Sequence, residues 1–356
     1  MGVGALAASV YAGETSLAHD SLRQHAGAKG IIFGCSAVQR DMANDAQYAR
    51  LIAQQCRLVL PANELKWNML QPAPGDYDFS AADWMLRFAE SHGLLFRGHV
   101  LFWEPSTPPW VRKVATRGNA GQLLTSHVHS VAGRYRGRMH SWDVVNEILG
   151  PDERRLDMFR NSLWLELLGP EWIEIAFHAA HEADPGALLV YNENWLESKR
   201  DASRAKRQRA LEVLAGWKRR GVPVHAIGLQ AHLLTDDGLS PEMPEFVQRV
   251  ADLGLKVIVS ELDVRDCSAP ADFALRDRLV AGEYSDFLAA LLPSQAVIAI
   301  ITWGLSNRYT WINHHPGSRR RDELPSRPLP FDADFESTAA WHALAHAFDN
   351  APRRTS

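Results

Sequence analysis

The sequence predicts an α/β protein folded as a single (β/α)8 TIM barrel, and three observations predict it. Eight short apolar runs rich in β-branched residues recur along the 356 residues, at intervals of roughly 30–40 residues, as alternating strands and helices require. Segments with helical periodicity separate them. Nearly every run ends in a cluster of polar or aromatic residues. A barrel core explains the apolar runs, and polar groups gathered at one end of each are what the catalytic face of a barrel carries.

In chain order, the first run is residues 30–34. Residues 57–60 lead into Asn63, Lys66 and Trp67, and 94–98 into His99 and Trp103. Residues 140–145 lead into Asn146 and Glu147, and 187–191 into Asn192 and Glu193. Residues 226–229 lead into Gln230 and His232, 256–260 into Glu261 and Asp263, and 296–301 into Trp303. Between them, 170–183 reads as a helix, with Ile173, Ala176, Phe177 and Ala180 at helical spacing and Asp184-Pro185-Gly186 as its stop. Residues 201–219 read as another, with a stripe of Leu211, Leu214 and Trp217. A doubly wound sheet is the competing architecture. Its nucleotide-binding form needs a Gly-rich phosphate loop after the first strand, and none is present.

No Ser/Gly/Pro linker divides the chain, so residues 26–350 are expected to form one catalytic domain. Residues 1–25 read as a signal remnant or flexible N-terminus: Met1 to Gly13 is apolar and small, like the core and cleavage end of an export signal, but lacks its basic start. The expected location is secreted or periplasmic. No apolar run approaches the ~20 residues that span a bilayer. Composition is ordinary for a globular enzyme, with 46% hydrophobic and 22% charged residues. A net charge of -4 argues for neither nucleic acid nor an acidic membrane as partner. Three separated cysteines, Cys35, Cys56 and Cys267, exclude a disulfide scaffold and allow at most one bridge. The basic run from Lys199 to Arg220 reads as the solvated face of an amphipathic helix. Arg319-Arg320-Arg321, followed by Asp322 and Glu323, reads as a neutralised loop. No HExxH motif supports a hydrolytic metal, so no cofactor is expected.

The chemistry centres on Glu147 and Glu261. Each follows an apolar run, and on a barrel both occupy strand ends at one mouth. A lone glutamate there is also what a helix cap or salt bridge uses. Two of them on one site supply what glycosidic hydrolysis needs; in its retaining form the carboxyl groups stand about 5–5.5 Å apart. Neighbours fit the same chemistry. Asn146 is placed to bond a sugar hydroxyl, His232 to bond a carboxylate and hold it ionised, and Trp303 to stack on a pyranose. The 12 tryptophans are divided between such platforms and the core.

Several segments resemble glycoside hydrolase family 10, the xylanases. They are Asn63-Glu64-Leu65-Lys66-Trp67; Arg97-Gly98-His99 with Trp103 and Trp110; Trp142 to Glu147; Gly228 to Leu233; Ser260 to Val264; and Thr302-Trp303-Gly304 with Arg308-Tyr309 and Trp311. Arg160 to Trp164 and Leu329 to Asp332 add to the set. The segments follow the family's order. The resemblance implies a retaining endo-β-1,4-xylanase with Glu147 as acid/base and Glu261 as nucleophile. It implies sugar contacts on the non-reducing side of the cut from Asn63, Lys66, His99, Asn146, Gln230 and His232. Trp303 and Trp311 would be walls and Trp103 floor. It also implies xylan as partner, acted on by a monomer. Departures from the family pattern fall at Ala62, Glu104, Ser106 and Asn307, where Glu, His, Gln and Asp are usual. All four are expected to alter recognition of the second sugar. The alternatives are a β-glycanase of the same fold acting on a glucan or exopolysaccharide, a carbohydrate-binding protein without catalysis, and a metal-dependent barrel hydrolase.

Overall fold

Eight strands close into one ring: β1 (Ile32–Ala37), β2 (Leu58–Pro61), β3 (Leu95–Gly98), β4 (Ser141–Asn146), β5 (Leu188–Glu193), β6 (Ala226–Leu229), β7 (Lys256–Arg265) and β8 (Val297–Thr302). This computed structural model describes residues 21–150 and 157–354. Every pairing in the ring is parallel and joins neighbours in sequence, and β8 pairs with β1 to close it. The architecture is the closed barrel that the periodicity predicts.

Strand alternation builds two cores. Leu58, Leu60, Val190, Ala226, Ile258, Ala299 and Ile301 fill the barrel's interior. Their neighbours Val59, Leu189, Tyr191, Val257, Val259 and Ile300 point outward, into the larger layer packed beneath the helices. A strand buried on both faces is apolar at almost every position, which is why these runs read as continuous rather than alternating.

Boundaries differ from the sequence reading in instructive places. β1 runs on through Cys35-Ser36-Ala37, whose small side chains fit the crowded barrel wall. β7 extends to Arg265 because its second half pairs with an additional short strand, His232–Leu234. His232 therefore opens that short strand rather than ending β6. The folded domain is wider than residues 26–350. Ser21 caps the helix Leu22–Ala28 through a capping box, and Leu22 is fully buried. At the other end, Arg354 donates its backbone N–H to Lys29 and its Nε to Val297. The export reading of residues 1–20 lies outside the described residues.

The basic helix Asp201–Arg220 is not solvated along its whole charged face. Lys206 and Arg207 are buried, because β5 and its following loop hold acceptors for them. Lys206 Nζ lies 2.7 Å from Glu193 Oε1, and Arg207 donates to the carbonyls of Leu196 and Ser198. Arg320 is likewise buried against Asp266 and Asp322 rather than lying in an open loop.

Candidate active site

At the C-terminal mouth of the barrel lies a cleft of about 550 Å³. Glu147 and Glu261 both line it, with Asn63, Lys66, His99, Trp103, Asn146, Gln230, His232, Trp303 and Trp311. The fold thus brings together every site residue expected from the sequence.

Local irregularities aim the two glutamates. β4 shifts register against β5 between Asp143 and Val145. Glu147 then takes a left-handed backbone conformation, φ 56°, with its N–H donated to the Asn192 carbonyl. β7 shifts register against β8 between Val259 and Leu262, the stretch that carries Glu261. Such bulges re-aim side chains at barrel rims. Unusual backbone at a reacting group is held only where the surroundings fix it.

Three amide side chains join the two carboxylates. Gln230 Nε2 donates to Glu147 Oε1 at 3.1 Å and to Asn146 Oδ1 at 3.1 Å. Asn192 Nδ2 donates to Asn146 Oδ1 at 2.9 Å and to Glu261 Oε1 at 2.7 Å. Asn192 Oδ1 in turn accepts from Ser260 Oγ at 2.6 Å. This fully buried asparagine was named in the sequence only as a strand-end residue. Nothing local to it signals a bridge, since the bridge depends on β5 standing between β4 and β6.

Gly228 makes room for that bridge. A Cβ there would stand 2.1 Å from Asn192 Oδ1 and 3.3 Å from its Cα. Gly228→Ala is therefore expected to push Asn192 off Glu261. Displacing a reacting group by about 1 Å costs on the order of 100-fold in rate, and overpacking costs about 1–3 kcal/mol of stability. Steady-state kinetics and thermal melting of the variant check both. A variant with normal kcat would mean that Asn192 does not position Glu261.

The surroundings of Glu261 hold it ionised. Burial works to raise the Glu261 pKa, but the hydrogen bond from His232, the field of His99, the charge of His232 and the Asn192 bond outweigh it and hold it at about 2. His232 faces a carboxylate from each ring nitrogen: Asp263 Oδ1 at 2.9 Å from Nδ1, and Glu261 Oε2 at 3.2 Å from Nε2. Two acceptors call for two N–H donors, hence the imidazolium. Burial opposes that charge, yet Asp263 and then Glu261 raise the His232 pKa to about 10. Trp311 Nε1 anchors the other Asp263 oxygen at 2.7 Å. Below, Arg97 Nη2 donates to Asp143 Oδ1, and Asp143 Oδ2 lies 3.0 Å from His99 Nδ1. Glu147 has different company. Arg160 Nη1 stands 3.0 Å from its Oε2, on a side chain that is one-third exposed. The sequence offered Arg160 only as part of a supporting segment.

His232→Gln keeps a donor toward Glu261 but removes the charge. The Glu261 pKa is expected to rise from about 2 toward the ordinary carboxylate range. Protonated Glu261 lacks the negative charge that makes the carboxylate a nucleophile, so the acid limb of kcat/KM moves to higher pH. A pH profile on an aryl glycoside reads this directly, and an unmoved limb would refute the pairing. The same pair carries stability. His232 gains its proton's affinity on folding, so its contribution is complete below pH 6.5 and is lost as pH rises through about 10.

Lys66 donates to Asn63 Oδ1 at 3.0 Å and lies 5.0 Å from the Trp103 ring centre. Burial lowers its pKa, against the opposing fields of Glu261, Glu64 and Glu147. Trp103 Nε1 is buried without a protein acceptor, a donor left for a ligand oxygen.

The four departures do not share one place. Ala62 lines the cleft. Ser106 donates to the Trp103 carbonyl, and Asn307 Oδ1 accepts from the Leu329 N–H, both behind the cleft wall. Glu104 opens a short 3-10 turn. It pairs with Arg112 at 2.6 Å, accepts from the Leu163 N–H, and lines a small space beside Glu147 and Arg160. Of the four residues expected to alter recognition of the second sugar, only Ala62 lines the cleft.

Residues 21–347 match the glycosyl hydrolase family 10. A β-1,4-xylanase of Dictyoglomus thermophilum is 33% identical over 306 residues, 84% of each chain. Native xylanase 10B of Thermotoga maritima superposes with a TM-score of 0.84 at 28% identity, covering 93% of this chain and 98% of that one. Xylanase 10B of Thermotoga petrophila in complex with xylobiose does so with 0.82 at 26%, covering 93% and 97%. The chain belongs to glycosyl hydrolase family 10 and is a glycoside hydrolase.

Proposed function

We propose that the protein is a retaining endo-β-1,4-xylanase, with Glu261 as nucleophile and Glu147 as general acid and base. The carrying observation is one cleft holding two glutamates, each aimed into it by its own partners. Glu261 is locked as a carboxylate by His232 and Asn192. Glu147, among the described residues, bonds Gln230 and the partly exposed Arg160.

In the first step, Glu261 attacks the anomeric carbon while Glu147 gives its proton to the departing glycosidic oxygen. The C–O bond to the leaving chain breaks and a glycosyl ester to Glu261 forms. Glu147, now a carboxylate facing Arg160, takes a proton from water, which displaces Glu261 from the same face the first sugar left. Two inversions give net retention. The electron-rich faces of Trp103, Trp303 and Trp311 suit the apolar faces of pyranose rings. Lys66, Asn63, His99 and the Trp103 N–H supply directed bonds.

That relatives are named xylanases supports xylan, over other β-glycans, as the substrate proposed here. A polymer cannot cross a membrane, so the proposal carries export with it, and an enzyme acting as a monomer. Products from a panel of xylan, cellulose-type glucan, mixed-linkage glucan and mannan test the reading. The expected result is a ladder of xylo-oligosaccharides from xylan and little from the rest. Equal or greater release from a glucan would overturn it.

A further inference from the structure

One arginine in the cleft has no partner. Arg265 ends β7, on the same alternation as Glu261 and Asp263, and lines the cleft beside Trp195. Its guanidinium carbon lies 5.1 Å from the Trp195 ring centre. Nε and Nη2 are covered from solvent and find no acceptor. Among the described residues, no carboxylate oxygen stands within the 4.0 Å of an ion pair. Arginines buried more deeply than this half-buried one each have a carboxylate: Arg97 has Asp143, Arg207 has Glu242, Arg276 has Asp266 and Arg320 has Asp322. Lys66, the other fixed cation of the cleft, is faced by three glutamates.

Place adds to this. Trp195 follows β5, which stands four strands from β1 in a ring of eight, hence across the mouth from it. Trp195 is itself among the large apolar side chains left exposed, 42% open to solvent, and its backbone is left-handed at φ 56°. The pair forms a flat, cationic edge to a cleft whose centre is acidic.

A guanidinium held over an aromatic ring carries its N–H groups in one plane, and that planar fork matches a carboxylate bidentately. Sugar hydroxyls can accept one such bond. Only an anion also answers the uncompensated charge. We propose that Arg265 recognises a carboxylate carried by the substrate, the group borne by a uronic acid branch, and so makes this a cleft for acidic xylan. The inference rests on the β-glycanase reading above and names the substrate class of that site.

The test separates the two. Oligosaccharides released from glucuronoxylan are compared with the same mixture after its uronic acid carboxyls have been reduced to primary alcohols. Carbon skeleton and branch are unchanged, and only the charge is lost. Binding is measured by calorimetry to Glu261→Ala protein, which holds the ligand uncut, and to the Glu261→Ala, Arg265→Gln double variant. The expected result is roughly tenfold tighter binding of the acidic set by the single variant, weakening with salt, and no preference in the double variant. Arg265→Lys in the same background should keep only part of the preference, because it retains charge without the fork. Equal binding of both sets by the single variant, or a preference that survives Arg265→Gln, would overturn the inference. Turnover of linear, uncharged xylohexaose by the unmodified protein reports on the β-glycanase reading independently: its absence would sink that reading whatever Arg265 binds.

Discussion

Glu261→Ala is expected to reduce kcat on an aryl β-xylobioside by about 10⁴-fold or more, a loss of roughly 5.5 kcal/mol or greater of transition-state stabilisation. The expectation follows from what surrounds the residue. His232, itself held by Asp263, and Asn192 form a frame whose bonds converge on one carboxylate. Truncation leaves the frame standing, with a charged His232 facing a gap. A small anion such as azide fits that gap and approaches the sugar from the side the carboxylate used. Azide is therefore expected to restore turnover and to give the α-glycosyl azide, one inversion rather than two. Product configuration by NMR settles the point. Recovery of the β-azide, or residual activity above about 1%, would remove Glu261 from the nucleophile's role. The variant is also expected to lose stability at neutral pH, because a buried, protonated His232 is left with one of its two carboxylate acceptors.

Much of this site was legible in the sequence because chemistry there sits at the ends of strands, and strand ends are marked by a change from apolar to polar. Glu147 follows Ser141–Asn146 directly, and Gln230 follows Ala226–Leu229. Alternation along the wall could be read in the same way, since Val59 between Leu58 and Leu60 already separates the outer face from the inner. What could not be read is whatever depends on which strands are neighbours. Asn192 bridges Asn146 and Glu261 because β5 and β7 flank β6, a fact of the ring and not of any segment. The short strand His232–Leu234 exists only by pairing with the extended end of β7, where His232 stands opposite Asp263. Arg160 reaches Glu147 from 13 residues further along the chain, beside the bridge between Leu149 and Phe159.

Burial of charge was the other blind spot. A run of lysines and arginines on a helix reads as a solvated face, and for most of Asp201–Arg220 it is one. Lys206 and Arg207 instead face the end of β5, where Glu193 and free carbonyls wait. The same limit governs the departures from the family pattern. Ser106 and Asn307 differ from the usual residue yet bond only to backbone behind the cleft. A substitution changes substrate recognition when its side chain reaches the ligand, and the strand-end loops decide that, not the motif.

Glu147→Ala is expected to split substrates by their leaving group. Xylan and xylo-oligosaccharides depart as alkoxides and need the proton that Glu147 supplies. For these, activity should fall by about 10³ to 10⁴-fold, near the upper reach of general acid catalysis. An aryl glycoside with a leaving group as acidic as dinitrophenol departs unprotonated. Its kcat/KM, which reports the first step, should stay within about tenfold of the unmodified enzyme. Its kcat should still drop, because no base then activates water for the second step and the glycosyl ester on Glu261 accumulates as a burst. Azide needs no base. It should speed the second step and give the β-glycosyl azide, the opposite configuration from that expected of Glu261→Ala, because it replaces water and not the nucleophile. The fold should be little affected. Alanine tolerates the left-handed backbone at this position about as well as glutamate, and Arg160, one-third exposed, can turn to solvent when its partner is gone. Equal losses on activated and natural substrates would show that Glu147 serves geometry and not proton transfer, and the two glutamates would then have to exchange their assigned parts or share them with Arg160's other neighbour in that small space, Glu104.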